Sequence, residues 1–213
     1  MGMPALDVLL TRGARLDEPT LREMWSLRAE VMTLRSGVDE REDFRWFAGL
    51  CRRANQVLLM RDRAARLRGM SVWIYALRTW AGRRFLDLQP EYWMIHPSWR
   101  GHPAASRAGA RLGLRLLVAS RGRPIVAVNA AYLQSYVRLA PLVDFWTVGD
   151  PAIPRWERGF LVHAMGERFP GWDAADPLVE MPTRPPPLSE RWLAAHGREQ
   201  AFVDYTRENR AGA

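Results

Sequence analysis

Residues 92–107 read Tyr-Trp-Met-Ile-His-Pro-Ser-Trp-Arg-Gly-His-Pro-Ala-Ala-Ser-Arg. An apolar extended run ends at Ile95, a turn-rich loop follows, and helical spacing sets in at Ala104. The start of a helix attracts anions, because its first N–H groups lack intrahelical partners and carry the positive end of the dipole. Pro103 suits the first helical position, where a missing N–H costs little. His102 is then the cap, and Ala104, Ala105 and Ser106 keep N–H groups to donate. The small residues Gly101, Ala104 and Ala105 let a phosphate come close. Arg107, Arg111 and Arg115 recur four apart on one helical face, with Leu112 and Leu116 on another. The same pattern also describes a capped core helix carrying a solvated arginine stripe.

Other reactive residue types are sparse. His96 and His102 lie six apart with no cysteine or carboxylate nearby in sequence, and His163 and His196 stand alone, so no zinc pattern is present. Cys51 falls on the apolar side of a helical pattern and reads as a buried structural thiol. No Gly-x-Ser-x-Gly elbow occurs. The ten tryptophans read as core, with an aromatic-lined pocket as the alternative.

The elements that must hold the loop follow from changes of period. Asp7–Thr11 reads as a strand, and Asp17 or Thr20 caps a helix running to about Arg35. Leu21, Met24, Trp25, Leu27, Val31 and the stem of Arg28 form its apolar face. A second helix spans Glu40–Ala54, with Phe44, Phe47, Leu50 and Cys51 inward. Extended runs at Gln56–Met60, Met70–Ala76 and Phe85–Ile95 are joined by turns at 61–65 and 81–84. Pro90 implies a bulge within the last of them. A helix over Ala104–Ser120, a strand over Pro124–Asn129, a helix over Ala131–Leu139 and a strand over Asp144–Val148 complete a mixed α/β domain over residues 1–150. Residues 151–213 form a helical, proline-rich C-terminal extension, with helices at Arg155–Arg168, Ser189–Ala195 and Phe202–Glu208.

The 213 residues are 48% apolar and 25% charged, which excludes a disordered chain. No apolar run reaches the length of a membrane span, and the N-terminus is too soon charged for a signal peptide. The lone cysteine excludes an intrachain disulfide, and a cytoplasmic protein is expected. All 31 cations are arginine, so Schiff-base and P-loop lysine chemistry are excluded. Residues 57–138 hold 14 arginines against three acids, a net of +11, while the rest of the chain is at −3. A basic middle favours a polyanionic partner, either nucleic acid or a phosphorylated co-substrate, with an idle arginine surface as the alternative.

Ile95-x-Pro97-x-Trp99-Arg100-Gly101 resembles the first half of motif A of the GNAT acyl-CoA N-acyltransferase superfamily. In that motif a strand ends near a proline and Arg/Gln-x-x-Gly-x-Gly/Ala opens a helix. Here Pro103 stands where the middle glycine is usual, followed by Ala104 and Ala105. Val128-Asn129 and the later Tyr136 resemble the segment in which an asparagine and a tyrosine face the cofactor, although Ala140-Pro141 replaces the usual Gly-Phe. The resemblance implies a splayed sheet with acyl-CoA, acetyl-CoA or a longer homologue, in the wedge between two parting strands. Backbone groups of Met94, Ile95 and His96 would meet the pantetheine. The N–H groups after Arg100, through Gly101, His102, Ala104 and Ala105, would meet the pyrophosphate, and Asn129 the cofactor.

Amine acylation needs a base for the amine and an acid for the departing thiolate. Tyr136 is the acid implied by the resemblance. Glu91 is the base candidate: in an extended strand it would share a face with Trp93 and Ile95, beside an aromatic wall that raises its pKa. Glu91 fits an exposed strand position equally well, and His96 is a base by type. The leading function is therefore transfer of an acyl group from acyl-CoA to a small-molecule or peptide amine. The alternatives are a non-catalytic acyl-CoA-binding protein of the same fold, and a basic nucleic-acid-binding module that lacks a recognisable motif.

Overall fold

The structure is a computed structural model that describes residues 5–34, 36–128, 150–175, 183–184 and 193–194. Asn129, Tyr136, Ala140 and Pro141, the helix expected at 131–139, the strand expected at 144–148 and most of the extension lie outside these residues. The chain divides into two compact units, one of residues 1–127 with 182–184, the other of 128–181 with 185–213.

In the first unit, β1 (Leu6–Thr11), β3 (Gln56–Asp62), β4 (Leu67–Trp80), β5 (Arg83–Ile95) and β6 (Ile125–Ala127) form a sheet in the order β1-β3-β4-β5-β6. The first three neighbouring pairs are antiparallel and β5–β6 is parallel. The fold is thus the expected mixed central sheet flanked by helices. A short β2 (Thr33–Leu34) pairs with β7 (Thr183–Arg184) in a separate ribbon.

Among the described residues three helices cover the sheet. α1 (Glu18–Val31) starts at Asp17, whose carboxylate accepts from the Thr20 N–H at 3.0 Å. α2 (Glu40–Arg53) starts at Asp39, which accepts from Arg41 and Glu42, each at 2.9 Å. Such caps satisfy donors that have no partner within the helix. α3 (Pro103–Ser120) lies on the opposite face. Its Ala105 and Ala108 pack with Leu58, Met60 and Ile95, and its Leu116 packs with Leu86 and Leu88. Phe47 of α2 meets Tyr92 on the other face, with ring centroids 5.5 Å apart. With both faces covered, Val57–Met60 is buried without a break, which is why that strand reads as a continuous apolar run rather than an alternation.

Hairpin geometry fixes the register. Asp62 accepts from the Ala64 and Arg66 N–H groups and from the Arg66 and Arg68 guanidiniums. The Arg68 hydrogen bond is the main reason its carboxyl is held down at about 2. β4 and β5 pair from Trp80↔Arg83 up to Gly69↔Ile95, with one slip: Trp73 pairs with Pro90 and Val72 with Tyr92. Glu91 is the extra residue, so the bulge implied by Pro90 is present one position later. Among the described residues no helix is long and apolar enough to cross a membrane.

The second unit contains α4 (Arg155–Arg168), with the bounds expected from sequence. Phe160, Ala164 and Met165 are its buried positions, Trp156 stacks on Phe160 at 5.5 Å, and Arg158 donates to the Asp150 carbonyl at 2.8 Å.

Candidate functional site

Among the described residues β5 pairs with β6 through Leu86↔Ile125, Asp87↔Val126 and Leu88↔Ala127. It then runs on from Gln89 to Ile95, where no described strand pairs with that edge. The alternation of an antiparallel ladder decides which backbone groups this edge offers. His96 donates its N–H to the Arg68 carbonyl at 2.9 Å, so His96, and Met94 two residues before it, spend their backbone groups on β4. The Met94 carbonyl lies against Gly69, 3.2 Å from where a Cβ would stand. Trp93 and Ile95 therefore turn their N–H and C=O groups to this edge, which is open among the described residues. Of the three residues expected there, Ile95 is so oriented and Met94 and His96 are not. Trp93 shares the orientation of Ile95, as the parity of the ladder requires.

The bulge also changes the side-chain faces. Trp93 lies over α3, where a Cβ on Gly109 would come within 3.1 Å of its ring, and Ile95 packs on Ala105 and Ala108. Burial raises the pKa of Tyr92 and of Cys51 on the α1/α2 side, and the carboxylate of Glu91, at the bulge, adds a smaller part to each. The expected alignment of Glu91 with Trp93 and Ile95 fails because the extra residue interrupts the alternation. Burial is the larger cause of both shifts: it pushes the Cys51 thiol to about 12 and raises the Tyr92 phenol well above its usual value. Cys51 is fully buried, as its place on the helix implied.

Past Ile95 the chain makes a 3-10 turn at Pro97–Trp99 and passes through Gly101 at φ +80° before α3 begins. That left-handed φ suits glycine. His96 sits at the turn with Nδ1 2.7 Å from the Ser98 hydroxyl, and Arg100 is exposed. His102 is the cap, as expected, and it uses its side chain to cap. Its buried Nδ1 accepts from the Ala104 N–H at 3.1 Å, and its carbonyl accepts from Ala105 at 3.0 Å. Pro103 has no N–H to give. The first turn of α3 is thus closed by its own cap, and Ala104 and Ala105, expected to donate outward, are both bonded and buried.

No family model matches the sequence, and no curated protein matches it. Among solved structures the chain is similar to a ribosomal-protein-alanine N-acetyltransferase from Brucella melitensis biovar Abortus 2308. The identity is 16%, over 70% of this chain and 99% of that one, with a TM-score of 0.48. It is also similar to an aminoglycoside antibiotic 6'-N-acetyltransferase from Acinetobacter baumannii, at 13% identity over 71% of this chain and 97% of that one, TM-score 0.46. A third is a GNAT family acetyltransferase from Staphylococcus aureus, at 11% identity over 63% of this chain and 92% of that one, TM-score 0.42. These are likenesses of fold.

Proposed function

We propose that the protein moves an acyl group from acyl-CoA to the amine of a small molecule or peptide, with the acyl-CoA lying along the open edge of β5. The observation that carries this reading is the run of β5 beyond its three paired residues, with Trp93 and Ile95 turned to that edge and the chain leading directly into α3. An amide-bearing pantetheine arm can add to such an edge as a short strand does, by main-chain hydrogen bonds. The net +11 of residues 57–138 suits the CoA phosphates. Arg100 and Gly101 are the proposed contacts of the pyrophosphate at the start of α3, and Asn129 is carried into the site by resemblance alone. In the reaction the amine nitrogen attacks the thioester carbonyl, the C–S bond breaks, a base takes the amine proton and the CoA thiolate takes one back. Glu91 is the proposed base and Tyr136 the proposed acid. The proposed site of the reaction is the cytoplasm.

A second reading is acyl-CoA binding without turnover, and on either reading the first turn of α3 is closed by its own cap. A pyrophosphate there must take the Ala104 N–H from His102. One experiment addresses both readings: thermal-shift titration with CoA, acetyl-CoA and longer acyl-CoAs, followed by turnover against an amine panel. Stabilisation with turnover supports transfer, stabilisation alone supports the second reading, and neither refutes both.

A further inference from the structure

A cavity of about 350 Å³ opens at the far edge of the sheet, lined by Leu10, Thr11, Arg12, Arg15, Gln56 and Arg115. It lies at β1 and β3, about 10–14 Å across the sheet from β5 at the usual strand spacing. Arg12 and Arg15 are carried by the tight turn Gly13–Arg15, and that turn is clamped to the end of α2. The Gly13 N–H donates to the Ala54 carbonyl at 2.9 Å, and a Cβ on Gly13 would stand 1.9 Å from the Cys51 carbonyl oxygen. The Arg15 N–H donates to the Arg12 carbonyl at 3.0 Å. From the helix opposite, Arg115 donates to Gln56 Oε1 at 3.1 Å. With its oxygen engaged, the Gln56 amide is left with its two N–H donors.

Among the described residues the lining therefore gathers three arginines, an amide and a hydroxyl, with no carboxylate. Among the described residues Arg12, Arg15 and Arg115 have no acidic partner, whereas Arg28, Arg52, Arg61, Arg68 and Arg78 each have one. Like charges brought together on a clamped turn repel one another, and an anion with several acceptor oxygens relieves that repulsion. The neighbouring groove along β1 and α3, which holds Arg107 and Arg111, is also lined by Asp7, so the purely basic lining stops at Arg115. Among the described residues no aromatic ring lines either depression, so these residues offer no stacking platform for nucleic-acid bases.

We propose that the Arg12–Arg15–Arg115 pocket binds the phosphate group of a small phosphorylated molecule, at a site separate from the open edge of β5. The probes are inorganic phosphate and glycerol phosphate, titrated by calorimetry at constant ionic strength set with sodium chloride. Saturable binding of both is expected in the native protein. Affinity should fall tenfold or more in Arg115→Ala, be lost in Arg12→Ala/Arg15→Ala, and stay within twofold in Arg107→Ala/Arg111→Ala. These side chains are exposed, and unliganded melts that match the native protein will show that each variant folds. Heat no greater than chloride gives, or equal loss in the Arg107/Arg111 pair, overturns the proposal. So does a short single-stranded oligonucleotide that binds more tightly than glycerol phosphate and weakens in both pairs, since that is the behaviour of a diffuse polyanion surface. CoA titrated into Arg12→Ala/Arg15→Ala reports on the β5 edge alone, so either idea can fail without the other.

Discussion

Arg28 of α1 and Asp43 of α2 form a two-pronged ion pair whose side chains are each 2% exposed, with the Trp25 indole N–H donating to the same carboxylate at 2.8 Å. The Arg28 guanidinium also lies 5.9 Å from the Tyr92 ring centroid. The two helices that cover one face of the sheet are thus joined to β5, just beyond the Glu91 bulge, through buried charge.

Removing one member should therefore cost far more than an exposed pair would. Asp43→Ala leaves a buried guanidinium without its carboxylate, a change typically worth about 3–5 kcal/mol. For a chain of this size that lowers the melting temperature by about 10 °C. Arg28→Met with Asp43→Leu, which removes both charges, should recover most of the loss. Thermal melts of the native, single and double variants measure this, and equal loss in single and double would show that packing, not charge, is what matters.

Cys51 and Tyr92 should make the protein less stable in alkali. Burial raises the folded thiol to about 12 from an ordinary 9.0, and the folded phenol is also raised above 10.0. The unfolded chain loses these protons first, so the folded state holds more protons and stability falls as pH rises from about 9. Denaturant midpoints should be flat from pH 7 to 8.5 and decline above pH 9. Cys51→Ala should be less stable at pH 7 and decline less steeply between pH 9 and 10. A parallel decline would clear the thiol of any part in it.

Most of the elements in the first unit are legible from period alone. The strands at Gln56, Met70 and Phe85 and the helices at Glu18, Glu40 and Pro103 lie within a few residues of where the spacing puts them. What spacing missed came from departures by single residues. Arg28 fits a helix face by its stem, and only the structure shows its head paired with a carboxylate 15 residues later. One bulged residue moved Glu91 off the Trp93 face, and Pro90 showed that a bulge was present without showing where parity would break. Helical rules identify His102 as a cap, but a histidine that accepts from its own helix cannot be told in sequence from one that faces outward. Arg12, Arg15 and Arg115 meet only because β1 is brought to α3 by the fold.

Gly13→Ala tests how far that meeting depends on the clamp. The added methyl would fall 1.9 Å from a backbone oxygen, so the turn must move as a whole. A cost of about 1–3 kcal/mol is expected, the range for overpacking. Phosphate affinity should fall along with stability, although no arginine has been changed. Native affinity in a destabilised Gly13→Ala would mean the arginines find the ligand without help from the turn.

His102→Ala should separate stability from CoA binding, and move them in opposite directions. The imidazole caps α3 through Nδ1 and tilts against Trp99, with ring centroids 5.7 Å apart, so its removal costs about 1 kcal/mol of helix stability. The same change frees the Ala104 N–H at the positive end of an 18-residue helix, where an anion is the natural replacement acceptor. A pyrophosphate that had to displace the imidazole no longer does, so CoA affinity should rise by a factor of about three to ten, equivalent to about 0.7–1.4 kcal/mol. His102→Ser supplies the control: serine is also a good cap, so stability stays near native and the N–H stays occupied. Melts without ligand give the first quantity and calorimetry with CoA the second. A destabilised His102→Ala with unchanged CoA affinity would remove the start of α3 from the phosphate site and leave CoA binding to the open edge of β5.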